Sequence, residues 1–168
     1  MKVLVVYYSR SGKTREVAEL IHSKLNSDLE ELTDNKNRGG ILGFFVSGNE
    51  AYLKKKISIE TLKHDPENYK LIIIGTPVWA GNISSPIRSF LADYQNKIQK
   101  IAFFCTSMGS DPKHVYREVE KIIGRESIAN LNVTSRDLRN KFFIEMVNEF
   151  VNTIKKFGNE AERIKNDG

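Results

Sequence analysis

Three short stretches of this chain are apolar on every consecutive residue: Val3–Val6, Leu71–Ile74 and Ile101–Cys105. A strand with one face in water alternates apolar and polar residues. A strand that is apolar on consecutive residues must be covered on both faces, as in a parallel sheet sandwiched between helices. Two further strand candidates are weaker: Asp28–Leu32 is half polar, and Ala129–Thr134 alternates Ala, Leu and Val with Asn, Asn and Thr. Strands of that kind belong at sheet edges.

Helical patterns lie between the strands. Lys13–Leu25 puts Val17, Ala18, Leu20, Ile21 and Leu25 on one face. Ser85-Pro86 and Asp111-Pro112 each read as an N-cap followed by proline at the first helical position. The last helix carries Phe142, Phe143, Met146, Val147, Phe150, Val151, Ile154 and Phe157 at three- and four-residue spacing, and Gly158 stands where a C-cap is expected. Alternating strands and helices imply parallel strands joined by right-handed crossovers. The expected fold is α/β: a three-layer, doubly wound, five-stranded parallel sheet of order 2-1-3-4-5 with helices on both faces. The whole chain, 1–168, reads as one domain, with a long connection at about 33–69.

Composition narrows the setting. One cysteine, Cys105, excludes an internal disulfide and a cysteine-rich metal site. No stretch reaches the roughly 20 apolar residues that span a bilayer. The first residues run directly into a strand and do not resemble a signal peptide, so a reducing, cytoplasmic location is expected. Net charge is +5, but the cations are spread along the chain, and the densest run is only Lys54-Lys55-Lys56. Nucleic-acid binding does not follow from that distribution. His22, His64 and His114 lie on surface positions without ligand spacing, and Cys105 reads as a buried thiol.

In a doubly wound sheet, ligands bind outside the carboxyl ends of the strands where the strand order reverses. All three central strands here are followed by loops rich in Ser, Thr and Gly. After the first comes Ser9-Arg10-Ser11-Gly12-Lys13-Thr14 and then a helix, an arrangement of free N–H groups, hydroxyls and positive dipole end that suits a phosphate. Gly12-Lys13-Thr14 copies the tail of a Walker A loop, but that motif needs glycine five positions before Gly12, where this chain has Tyr7. After the third strand comes Gly75-Thr76-Pro77-Val78-Trp79-Ala80-Gly81-Asn82, with the only tryptophan of the chain placed to stack on a flat ligand or to cap the sheet. Strand one ends Tyr7-Tyr8-Ser9 and strand three ends Gly75-Thr76, so no acidic pocket of the phosphorylation-signalling kind is present.

Ser-Arg-Ser-Gly-Lys-Thr resembles the phosphate loop of flavodoxins, whose pattern is Thr/Ser-x-Thr/Ser-Gly-x-Thr. Gly75–Asn82 is similar to the flavin-ring loop of that family, and Phe103-Phe104-Cys105-Thr106-Ser107-Met108-Gly109-Ser110 to its third cofactor loop. The resemblance implies FMN as cofactor. Ser9, Ser11, Gly12, Lys13 and Thr14 would hold its phosphate, with Arg10 at the rim. Thr76 would lie near the ribityl chain, and Pro77, Val78, Trp79, Ala80 and Gly81 would border the ring. Thr106, Ser107, Met108 and Gly109 would form the third wall. Few cations would stand near the ring, and the Ala80–Asn82 segment would offer a backbone carbonyl to the reduced flavin, with Gly81 easing the peptide's turn.

The implied function is electron transfer between redox proteins; the alternative is an FMN-dependent NAD(P)H:quinone or small-molecule oxidoreductase. Small size and the absence of a second nucleotide motif favour the carrier. Basic charge and a third loop with Met108 as its only large side chain, where many relatives have an aromatic, favour the enzyme. Both ligand loops are present, which disfavours a non-catalytic module. Arg38–Lys56, with its glycines and Phe44-Phe45, suits either a lid over the flavin or the crossover helix itself.

Overall fold

The computed structural model describes residues 1–33, 59–109 and 111–166. The expectations for Arg38–Lys56 and for Ser110 therefore lie outside the described residues. Five strands build the parallel sheet: β1 (Val3–Tyr7), β2 (Asp28–Glu31), β3 (Leu71–Trp79), β5 (Ile101–Ser107) and β6 (Asn130–Thr134). Between β3 and β5 a two-residue strand, β4 (Asn82–Ile83), pairs antiparallel with the end of β3. The helices are α1 (Lys13–Leu25), α2 (Ser85–Tyr94), α3 (Lys113–Ile123), α4 (Ser135–Arg139) and α5 (Phe143–Asn166).

The spatial order is β2-β1-β3-β5-β6, which is the expected order once β4 is set aside. The consecutive apolar runs sort onto two faces as anticipated. Leu4, Val6, Ile72, Ile74, Ile101, Phe103 and Cys105 pack on one side with Ile87, Phe90 and Leu91 of α2 and with Val115 and Val119 of α3. Val3, Val5, Tyr7, Leu71, Ile73, Ala102 and Phe104 pack on the other with Val17, Ala18 and Ile21 of α1 and with Val147, Phe150 and Ile154 of α5.

β3 runs five residues beyond the expected Leu71–Ile74, through Gly75, Thr76 and Pro77, residues that ordinarily interrupt a strand. The hydrogen-bond parity explains the tolerance. Tyr8 N donates to Gly75 O, so odd-numbered positions of β3 face β1, whereas Ile72 N donates to Lys100 O on the β5 side. β1 ends opposite Gly75, so the N–H that Pro77 lacks would face the side where β1 has already stopped. Gly75 has its own cause: a Cβ there would meet the ring of buried Phe104 at 2.1 Å.

Three expected helix ends move. α2 and α3 each begin one residue away from the expected cap: Ser84 caps α2, and Pro112 precedes α3 while Asp111 Oδ1 accepts from Lys113 N at 3.0 Å. Gly158 does not end the last helix. α5 continues to Asn166, because the residues beyond it are helix formers and one glycine costs only about 1 kcal/mol. Phe142 falls just before the helix and is 54% exposed.

Candidate functional site

The first wall of a cleft at the carboxyl edge of the sheet is the loop from β1 into α1. Gly12 sits at φ +86°, a conformation open to glycine, and places the first amides of α1 toward the cleft with no side chain capping them. Ser9 Oγ is buried in this loop and has no hydrogen-bond partner. Thr14, at the first turn of α1, is buried and lies 2.8 Å from Thr106, hydroxyl to hydroxyl. Arg10, Ser11 and Lys13 line the opening.

The second wall is a hairpin. β3 and β4 are joined by Ala80 and Gly81, at φ +46° and +75°, so the segment expected as a loop is a tight two-residue turn with Val78 opposite Ile83 and Trp79 opposite Asn82. Its polar groups bond to one another. Asn82 Nδ2 donates to Ala80 O at 2.9 Å, and Thr76 Oγ1 accepts from Ser84 N and meets Ser84 Oγ, each at 3.0 Å. Behind it, Glu118 of α3 holds Arg88 of α2 at 2.5 Å in a buried ion pair, and Ile83 N points to the same carboxylate. Trp79 is only 6% exposed and meets Tyr8 edge to face at 5.5 Å.

The third wall is the end of β5. Ser107 Oγ donates to Asn132 Oδ1 at 3.1 Å and accepts from Gly109 N, which sits at φ +121°. Met108 projects almost fully into solvent at the rim, 88% exposed. Cys105 is buried beneath, its thiol pushed up to about 12 by that burial. It reads as an inert thiol, as its position suggested.

Thus the structure gathers Arg10, Ser11, Lys13, Thr14, Pro77, Val78, Trp79, Thr106, Ser107 and Met108 around one cleft. Thr76 is buried beneath the hairpin, and Ser9, Gly12, Ala80, Gly81 and Gly109 belong to the loops but not to the cleft lining. Sequence reading missed Ser135, which lines the cleft from the start of α4. Lys13 Nζ donates to Ser135 Oγ at 3.0 Å, and that hydroxyl in turn reaches Ser107 O at 3.3 Å. The available signal was Thr134-Ser-Arg-Asp137, a capping-box pattern that the structure realises in full. His64 also differs from a bare surface residue: its Nδ1 lies 2.8 Å from the buried Glu30 carboxylate.

The cleft's electrostatics differ from the expectation of few cations. Arg10 lies with its guanidinium carbon 5.7 Å from the Trp79 ring centroid, and Lys13 is held at the rim. Among the described residues that line the cleft, none is acidic. Uncapped helix amides, a buried unpartnered hydroxyl and two cations together form a setting for an anion.

Compared with solved structures, the chain is similar to a flavoprotein from Lactobacillus acidophilus NCFM crystallised in complex with FMN, at 26% identity and a TM-score of 0.65, covering 83% of this chain and 97% of that one. The chain has a flavodoxin-like fold. The same fold recurs in a flavodoxin, WrbA-like protein from Agrobacterium tumefaciens (15% identity, TM-score 0.56, 92% of this chain and 98% of that one). It recurs again in a flavodoxin from the domain Archaea (17% identity, TM-score 0.56, 93% and 98%). No protein-family model matches the sequence, and no curated protein does. For a flavodoxin-like chain the cleft stands at the expected place, outside the ends of β1 and β3 where the strand order reverses. No helix among the described residues is long and apolar enough to cross a membrane.

Proposed function

We propose that this flavodoxin-like chain binds FMN in the cleft and works as an electron carrier between redox proteins. The observation that carries the reading is the first wall: an uncapped α1 N-terminus and the buried, unpartnered Ser9 hydroxyl, in the loop whose counterpart in the resemblance holds a phosphate. When bound, FMN supplies reversible one- and two-electron chemistry with protons at its ring nitrogens.

The remaining work falls to the chain. Ser9, Ser11, Thr14 and the first amides of α1 bind the phosphate, and Gly12 lets the backbone approach it. Val78 and Trp79 supply the apolar border of the ring, with Met108 at the solvent-exposed rim. Arg10 and Lys13 favour negative charge in the cleft, which stabilises a reduced, anionic ligand relative to a neutral one. The hairpin, bonded internally, holds its wall fixed.

The test is the visible spectrum of the purified protein, followed by NADPH oxidation with a quinone as acceptor. Flavin absorption with negligible NADPH turnover is expected. A colourless protein that also fails to take up added FMN overturns the reading, and efficient quinone reduction by NADPH replaces the carrier with a reductase.

A further inference from the structure

Ser107 pairs with Thr134, so β5 and β6 end side by side and Met108 and Ser135 leave the sheet together at the cleft. α4 then carries Arg136 and Arg139, three residues apart and both exposed, on one side of the helix. The turn beyond it presents Lys141, at φ +57°, and Phe142, 54% exposed; Ile144 follows at 39%. α5 starts here and runs away from the cleft until Gly158 comes beside Met1 at the opposite end of the sheet. This turn and the cleft therefore share the carboxyl edge.

The charges on this edge are unspent. Among the described residues no carboxylate lies within ion-pair distance of Arg136, Arg139 or Lys141. Asp137, the nearest acid in sequence, is held inward by the capping box, where it accepts from Thr134 N and Thr134 Oγ1. The other nearby acids are Glu145, in the first turn of α5, and exposed Asp111, whose Oδ1 accepts from Lys113 N. Exposed Met, Phe and Arg with few carboxylates is the composition that protein interfaces favour over ordinary surface.

We infer that Met108, Arg136, Arg139, Lys141 and Phe142 form a docking surface for an acidic one-electron redox protein that exchanges electrons at the cleft. Charge complementarity selects the partner, and the apolar pair Met108 and Phe142 provides the dry contact beside the cofactor. The inference rests on the proposed FMN-dependent electron transfer. In the exchange, two reduced iron–sulfur proteins each give up one electron, and FMN takes the pair with protons from water.

The test uses an acidic plant-type [2Fe–2S] ferredoxin as probe, against the full chain. Ferredoxin added to isotope-labelled protein is expected to shift the amide signals of Met108 and of Arg136 through Ile144, more at low salt than at high. R136E/R139E/K141E is expected to weaken binding and to slow electron transfer from reduced ferredoxin by about tenfold at low salt, as loss of steering predicts. K100E/K155E/K156E makes the same change in net charge at the opposite end and is expected to do neither. Equal losses in the two triple variants, shifts centred away from the cleft edge, or binding of anionic vesicles in place of ferredoxin would overturn the surface. A chain that binds ferredoxin here but never takes up FMN contradicts the cofactor reading and leaves the surface standing.

Discussion

The two main walls of the cleft treat their polar groups in opposite ways. In the loop from β1 to α1, the Ser9 hydroxyl is buried without a partner and the first amides of α1 have no cap. In the hairpin from β3 to β4, Thr76 is bonded to Ser84 and Asn82 to Ala80; behind it Arg88 Nη1 donates to Glu118, while Arg88 Nε and Nη2 and Ser85 Oγ are buried without partners. A buried polar group left unmatched costs about 1–3 kcal/mol, and at Ser9 it stands beside an uncapped helix N-terminus, a setting that suits an anion. In this sense the hairpin itself is a finished wall, its unmatched atoms lying only in the support behind, and the proposed phosphate loop is the half-built one.

The largest effect should come from breaking the finished wall. Glu118→Leu leaves the Arg88 guanidinium buried without its counter-charge and is expected to cost about 3–5 kcal/mol in urea unfolding, while E118L/R88M recovers most of that loss. The preference of the surviving protein for FMN over riboflavin should not change, since the phosphate end is untouched. Gly75→Ala, which drives a methyl against the Phe104 ring, is expected to cost about 1–3 kcal/mol by the same measurement.

The half-built wall should respond with the opposite balance. Ser9→Ala removes an unpartnered hydroxyl, so stability of the apo chain should hold or rise slightly, whereas FMN affinity in a fluorescence titration should fall roughly tenfold or more. A stability loss without an affinity loss would mean that Ser9 serves the fold and the contrast between the walls is wrong.

A last effect is a pH dependence carried by the strands beneath the first and third walls. Burial pushes both the Cys105 thiol and the Tyr7 phenol up to about 12, from ordinary values of 9.0 and 10.0. The folded chain holds these protons more tightly than the unfolded chain does. Their stabilising contribution is therefore fully present below pH 9 and is lost as pH rises toward 12, a decline that unfolding curves across that interval should show. The Cys105 thiol should correspondingly resist alkylation at pH 8 until the chain unfolds.

Much of the fold was legible because short runs rich in β-branched residues and apolar on every position fit strands buried on both faces. Val3–Val6, Leu71–Ile74 and Ile101–Cys105 became the three inner strands, and the mixed Asp28–Leu32 and Ala129–Thr134 segments became the edges. What escaped was set by neighbours in space. Pro77 reads as a strand breaker until β1 is seen to end opposite Gly75, and Ala80-Gly81 reads as loop until Trp79 is seen paired with Asn82. Within the site, the order Ser-Arg-Ser-Gly-Lys-Thr carries the anion signal locally. The capping box at Thr134–Asp137 marks the helix that carries Ser135, but the reach of Ser135 to Lys13 and Ser107, and the placement of Arg10 over Trp79, depend on chain segments far apart in sequence. Trp79 itself showed that a lone tryptophan in a glycine-containing loop can be packed against a neighbour, here Tyr8, while still bordering the cleft.

The central claim is that the first wall is a phosphate site awaiting its ligand, and titration of the flavin-free chain with FMN and with riboflavin tests it most directly. The two ligands share the ring and the ribityl chain and differ only in the phosphate. The account predicts FMN binding at least about tenfold tighter than riboflavin, as hydrogen bonds to a charged group require. Equal affinity for the two, or binding of neither, would contradict it.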